Sequence, residues 1–128
     1  MQKDFDGWNE QKKRINDRLQ APEYNERQIR WCSLGTNVGS EQDGVGKSRS
    51  RPVLILKGLS RKLCLVIPLT ASLSDNPYHL PIGFVDGKLA AAIISQLRLI
   101  DSRRLDVLIG VLGKERFEEI RKAVKAML

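Results

Sequence analysis

Two apolar runs near the middle of the chain, residues 53–57 and 63–69, decide most of what it can fold into. Both are short, closely spaced and rich in β-branched side chains, which suit a buried, pleated backbone better than a helix. The five residues between them, Gly58-Leu59-Ser60-Arg61-Lys62, read as their connection. Further strands are expected at 29–34, 79–84, 90–94 and 107–111. Asp86-Gly87 reads as the hairpin turn between 79–84 and 90–94. Residues 100–104 read as a helical turn. Short strands with turn signals at close spacing, flanked by helices, point to an α+β chain built on a small curled sheet or partly open barrel.

The helices are expected at the two ends. Over 5–19, Phe5, Trp8, Ile15 and Leu19 share one face, Asp4 can cap the N-terminus, and Ala21-Pro22 stops the helix. Its other face carries Lys12, Lys13, Arg14 and Arg18, and it reads as an appendage packed on the barrel. The C-terminal helix, 114–127, places Phe117, Ile120, Val124 and Met127 on one stripe toward the core. Residues 35–46 form a polar loop with four glycines, and 72–78 form another, closed by Asn76-Pro77. The division is thus a helix and linker over 1–26 and one domain over 27–128.

Charge narrows the partners. Lys and Arg number 22 against 15 Asp and Glu, a net charge of +7. The excess is local: residues 44–62 hold Lys47, Arg49, Arg51, Lys57, Arg61 and Lys62 and no acid. A polyanion fits this segment better than a merely solvated face does. No apolar run is long enough to span a membrane, and Met1 to Asp6 have no signal-peptide core, so a cytoplasmic location is expected. Cys32 and Cys64 fall in expected strands and read as buried free thiols.

Several chemistries lack their residues. His79 is the single histidine, and it reads as structural rather than catalytic. No Cys/His cluster suits zinc, and no carboxylate pattern suggests magnesium, so neither metal nor cofactor is expected. Gly44-Val45-Gly46-Lys47-Ser48 lacks the first glycine of a phosphate-binding GxxxxGK[ST] loop, and no GxSxG elbow occurs. What remains are arginines and hydroxyls near strand ends. Arg51 stands just before Pro52 and the strand from Val53; Thr70 follows Pro68-Leu69 at the end of another. Each could hold a side chain at a loop mouth. Each also has an ordinary reading: a surface ion-pair partner for Arg51, a hydroxyl bonding its own backbone for Thr70.

Four motifs in order carry a resemblance. Gly39-Ser40-Glu41-Gln42-Asp43-Gly44 is followed by Arg51-Pro52-Val53; then come Ile67-Pro68-Leu69-Thr70, Ser95-Gln96-Leu97-Arg98-Leu99-Ile100-Asp101 and Ile109-Gly110-Val111-Leu112. Together they resemble the MazF/PemK toxins of toxin–antitoxin pairs, over about residues 27–128. Two departures stand out. Six residues, Val45 to Ser50, separate Gly44 from Arg51, as in a longer-loop subgroup that also carries an N-terminal helix. Arg27-Gln28 stands where the family often has Gly-Asp or Gly-Glu.

The resemblance implies an SH3-like, CcdB/PemK-like barrel acting as a homodimer, paired with a cognate antitoxin and, through it, with operator DNA. It implies metal-independent cleavage of single-stranded RNA at short sequence sites. The substrate's own 2′-hydroxyl attacks, leaving a 2′,3′-cyclic phosphate and a 5′-hydroxyl. The family's catalytic arginine falls on Arg51 and its threonine on Thr70. Glu41 is the nearest candidate for a base, or else an acceptor that orders its loop. RNA contacts are expected from Gln42, Lys47, Arg49, Lys57, Gln96 and Arg98, with Tyr78 and Trp31 as surfaces on which bases could stack. Two other classes stay open: a related toxin that binds a protein such as DNA gyrase without cleaving, and a nucleic-acid-binding regulator.

Overall fold

A computed structural model of the chain describes residues 23–34, 50–72 and 74–128. The helix expected over 5–19 lies outside the described residues, and so do Glu41, Gln42, Lys47 and Arg49. Within them the elements are β1 (Gln28–Ser33), β2 (Ser50–Ser60), β3 (Leu63–Thr70), β4 (His79–Val85), β5 (Lys88–Ile93), β6 (Arg98–Asp101), β7 (Leu105–Val111) and α1 (Lys114–Met127). The strands form one antiparallel sheet in the order β4-β5-β3-β2-β1-β7. β3 shares its outer edge: β6 pairs with Leu63 to Val66, and β5 takes Leu69 and Thr70. The sheet curls into a half-barrel closed on one side by α1.

The continuous apolar runs have a structural reason. In a strand successive side chains leave opposite faces, so a run with no polar alternation must be covered on both. Leu54, Leu56, Ile67 and Leu69 join the larger core beneath α1, with Ile82, Ala92, Phe117, Ile120 and Val124. Val53, Ile55, Cys64 and Val66 face the other way, into a smaller core with Cys32, Ile100 and Leu105. The α1 stripe is as expected: Phe117, Ile120 and Val124 are buried and Met127 packs against them. Glu115 in its first turn and Lys125 in its last suit the helix dipole. Among the described residues no helix is long and apolar enough to cross a membrane.

Two expectations are corrected. The helical turn expected at 100–104 starts two residues later: Ile100 and Asp101 belong to the strand Arg98–Asp101, which pairs with β3 because β3's edge is open there and Ile100 buries itself opposite Cys64. Only Ser102–Arg104 winds into a 3-10 turn, capped by Asp101, whose carboxylate accepts the Arg103 N–H at 2.8 Å. The buried Ser102 ties that turn to the β2–β3 hairpin; its Oγ donates to the Arg61 carbonyl and its N–H to that of Lys62. The second correction concerns the connection at 58–62. β2 runs on to Ser60, leaving only Arg61 and Lys62 as the turn. This overhang is held from the side by Tyr24, whose hydroxyl shares its one proton between the carbonyls of Ser60, at 2.5 Å, and Leu63, at 3.0 Å. A Cβ at Gly58 would lie 2.8 Å from the Tyr24 hydroxyl, so the close approach requires glycine there.

Arg27 begins β1 in the left-handed region, φ 76°. Its N–H donates to the Ile55 carbonyl, its own carbonyl accepts from Leu112, and its guanidinium returns to the Leu112 carbonyl at 3.2 Å. One residue thereby joins β2 and the end of β7 to the start of β1. The Asp86-Gly87 turn is as expected, with both residues at positive φ, 54° and 82°, as a two-residue hairpin requires.

Candidate functional site

The two strand-end residues singled out in the sequence stand at adjoining ends of paired strands. Cys32 of β1 pairs with Arg51 of β2, and Thr70 of β3 pairs with Ala91 of β5. The β2–β3 ladder ends at the rung Val53↔Pro68, and its register continued two residues further brings Arg51 and Thr70 to the same level of the sheet. The row across the sheet therefore reads Cys32, Arg51, Thr70, Ala91. Arg51 follows the alternation of Val53 and Ile55, and Thr70 that of Val66, so both point to the face of the smaller core. Both are half-buried.

Thr70 ends its strand with a local bond. Its Oγ1 accepts the Ser72 N–H at 3.0 Å, the ordinary strand-end arrangement. That bond uses a lone pair of the oxygen and leaves the hydroxyl proton free to donate elsewhere. It also anchors the Thr70 oxygen to the loop that follows the strand.

The other end of the row gathers positive charge. Cys32 pairs on its far side with Leu105 of β7, and the neighbouring Arg104 donates from Nη1 to the Ser33 carbonyl at 3.2 Å. Arg98 opens β6 opposite Val66 and alternates with Ile100, which puts it on the same face as Arg51. Both arginines are close enough to act on the buried Cys32 thiol. Burial is the larger influence and pushes its pKa up to about 11, while their charges draw it back. Cys64 is raised to about 11 in the same way, so both cysteines are buried free thiols. Arg104 was not among the sequence candidates. The doublet Arg103-Arg104 directly after the motif ending in Asp101 is the signal that could have raised it.

The remaining candidates separate. Lys57 lies on β2 six residues from Arg51, about 20 Å along an extended strand, and is not brought to the row. Gln96 sits exposed in the 3-10 turn Ile94–Gln96, beyond β5. Tyr78 is exposed just before β4, with its N–H on Asn76 Oδ1 and its carbonyl accepting from Ile94. His79, next to it, has Nδ1 3.2 Å from Ser74 Oγ and its backbone N–H on the Asn76 carbonyl; it braces its loop. Trp31 is half-buried, opposite Pro52, on the face away from Arg51.

With the geometry in place, comparison with known proteins decides the family. The model of the PemK-like, MazF-like toxins of type II toxin–antitoxin systems matches residues 25–128. The chain belongs to this toxin family. A search of proteins with curated function returns no match to the toxin's sequence. Among solved structures, the toxin resembles the Mycobacterium tuberculosis toxin MazF-mt6, with a TM-score of 0.61 and 18% identity over 78% of this chain and 94% of that one. It also resembles MazF from Deinococcus radiodurans, with a TM-score of 0.60 and 20% identity over 84% and 96%. A third likeness is to a mycobacterial endoribonuclease in complex with its cognate antitoxin, with a TM-score of 0.61 and 17% identity over 83% and 93%. At such identities the likeness is one of fold.

Proposed function

We propose that this toxin is a metal-independent endoribonuclease that cuts single-stranded RNA by attack of the substrate's 2′-hydroxyl, working as a homodimer and held in check by a cognate antitoxin. The observation that carries the reading is that Arg51 and Thr70 stand at adjoining ends of the paired strands β2 and β3, two residues beyond the rung Val53↔Pro68, in a chain whose family is that of the PemK-like, MazF-like toxins. A solved relative of the same fold is an endoribonuclease bound to its cognate antitoxin, which supports both the activity and the partner.

The chemistry follows from where charge develops. The 2′-oxygen forms a bond to phosphorus as the bond to the 5′-oxygen breaks. The 2′-hydroxyl proton is lost and the leaving oxygen gains one. The products are a 2′,3′-cyclic phosphate and a 5′-hydroxyl. Negative charge grows on the non-bridging oxygens, where fixed donors stabilise it most. Arg51 offers a planar, permanently charged guanidinium that can hold two of those oxygens at once. It can also pass a proton to the leaving oxygen, but it is no general base. Thr70, with its oxygen already engaged by Ser72, donates its proton to the same phosphate. Arg98 and Arg104 extend the positive field toward flanking phosphates. Removal of the 2′-proton is assigned to Glu41, on the family's Glu-Gln loop.

The test is a long unstructured RNA incubated with the toxin in EDTA, beside Arg51→Ala and Thr70→Val. Wild-type protein should yield fragments with 5′-hydroxyl ends, and each substitution should slow cutting by about 10²- to 10³-fold. RNA that survives several unrelated incubations with wild-type protein would overturn the nuclease reading and favour a toxin that binds a protein target.

A further inference from the structure

Next to the row of Arg51 and Thr70, the sheet opens into a cleft of about 190 Å3. Its floor is the adjacent transverse row. Trp31 pairs with Pro52, and the same register that brings Arg51 level with Thr70 brings Pro52 level with Leu69. All three line the cleft. Its far wall is the tip of the β4–β5 hairpin, which contributes Asp86 and Lys88, and Thr70 itself forms part of the rim. Adjacent rows of a strand lie about 3.3 Å apart and point to opposite faces. At Thr70 that separation ends, because β3 stops there. A chain held by its phosphate at Thr70 can therefore turn its base over the strand end into the cleft.

The lining selects the occupant. The volume is below the usual range for drug-sized ligands and suits a single flat ring system. An indole, a proline ring and a leucine supply apolar walls on which such a ring can lie. The polar groups stand together at the hairpin tip. A carboxylate only accepts hydrogen bonds and an ammonium only donates them. A base with an exocyclic amino group beside a ring nitrogen or carbonyl satisfies both at once, whereas uracil's single donor, N3–H, is flanked by two carbonyl oxygens, which come toward the acid with it and repel it. The turn fixes the backbone of Asp86, which occupies its first corner at φ 54°, and so places the residue on the wall of the cleft.

We propose that this cleft is a base-recognition subsite, taking the unpaired base of a nucleotide flanking the scissile phosphate, with Asp86 selecting amino-bearing bases over uracil. The inference rests on the RNA-cleavage reading and names a determinant of its sequence preference.

The experiment maps the 5′-hydroxyl ends that the full-length toxin and two variants produce from one RNA pool of random sequence. Asp86→Asn keeps the turn, because asparagine is equally at home at this corner, but adds a donor where only an acceptor stood. Trp31→Ala removes the stacking wall. In wild-type fragments one position beside the cut should exclude uracil. Asp86→Asn should admit uracil at that position alone, shifting the preference there by about tenfold or more. Trp31→Ala should weaken all preference at the same position. Variants that keep the wild-type base preference at every position beside the cut would overturn the subsite, and if those variants also bound the cognate antitoxin less tightly, the cleft would belong to that protein. Wild-type protein that cuts no RNA would remove the nuclease reading and this inference with it, an outcome distinct from unchanged preference in a working enzyme.

Discussion

At the scale of single residues, charge is arranged for two different ends. Arg98 and Arg104 add their charge to that of Arg51 near the Cys32 end of its row, while Arg103 turns back on Asp101 and makes a two-pronged ion pair, Nε to Oδ1 at 3.0 Å and Nη2 to Oδ2 at 2.8 Å. The Arg103 side chain, with its backbone N–H, holds the Asp101 carboxyl down to about 2 from an ordinary 3.8. A carboxyl depressed on folding contributes stability while it is ionised in both states, and that contribution disappears as pH falls through its folded value. The difference in melting temperature between wild type and Asp101→Asn should therefore be steady above about pH 5 and close between about pH 4 and pH 2. Circular dichroism melts across that range measure it; a gap that ignores pH would mean that Asp101 acts only as the cap of its turn. The pair is solvent-exposed, so the effect should be modest.

At the scale of elements, the strained corner at Arg27 makes a sharper test. The family often places glycine before its first strand, and here that position has φ 76°, where a Cβ costs about 1–2 kcal/mol. Arg27→Gly relieves the strain, and Arg27→Ala keeps it; both lose the guanidinium bond to Leu112. In chemical denaturation the glycine variant should be more stable than the alanine variant by about 1 kcal/mol. Equal stabilities would mean that the backbone relaxes in the absence of the arginine. The same scale shows what a sequence can reveal. β2 and β3 were legible because cover on both faces writes an unbroken apolar run, and α1 because its stripe has helical spacing. β6 was not, since only Ile100 of its four residues is buried and its strand form is imposed by the free edge of β3. The overhang of β2 past Lys57 was missed because pairing and Tyr24 hold it, with almost no apolar burial of its own. Arg51 and Thr70 could be chosen as strand ends, but that they stand at one level of the sheet is a matter of register, to which only the motif resemblance gave a clue. Lys57 was grouped with Arg51 because both lie in one basic segment, and an extended backbone then carries it away by about 3.3 Å per residue.

At the scale of the whole molecule, the outer strands tie the two ends of the described chain together. β1 lies between β2 and β7, with Gln28 opposite Val111 and Cys32 opposite both Arg51 and Leu105. Long-range pairing of this kind slows folding, because a large loop must close before the contacts reward it. Refolding followed by Trp31 fluorescence in a Trp8→Phe background should fall in the millisecond-to-second range. A chain ending at Arg104 should fail to regain the native Trp31 spectrum, and one that regained it would show that β1 docks without β7. The order of strands also sets a clock on synthesis. A growing chain leaves the ribosome at about 5–20 residues per second, N-terminus first. While β7 is still inside the exit tunnel, β1 has no outer neighbour and the row containing Arg51 is unsupported. The site proposed for cleavage thereby gains its full frame of strands only once the last of them has emerged.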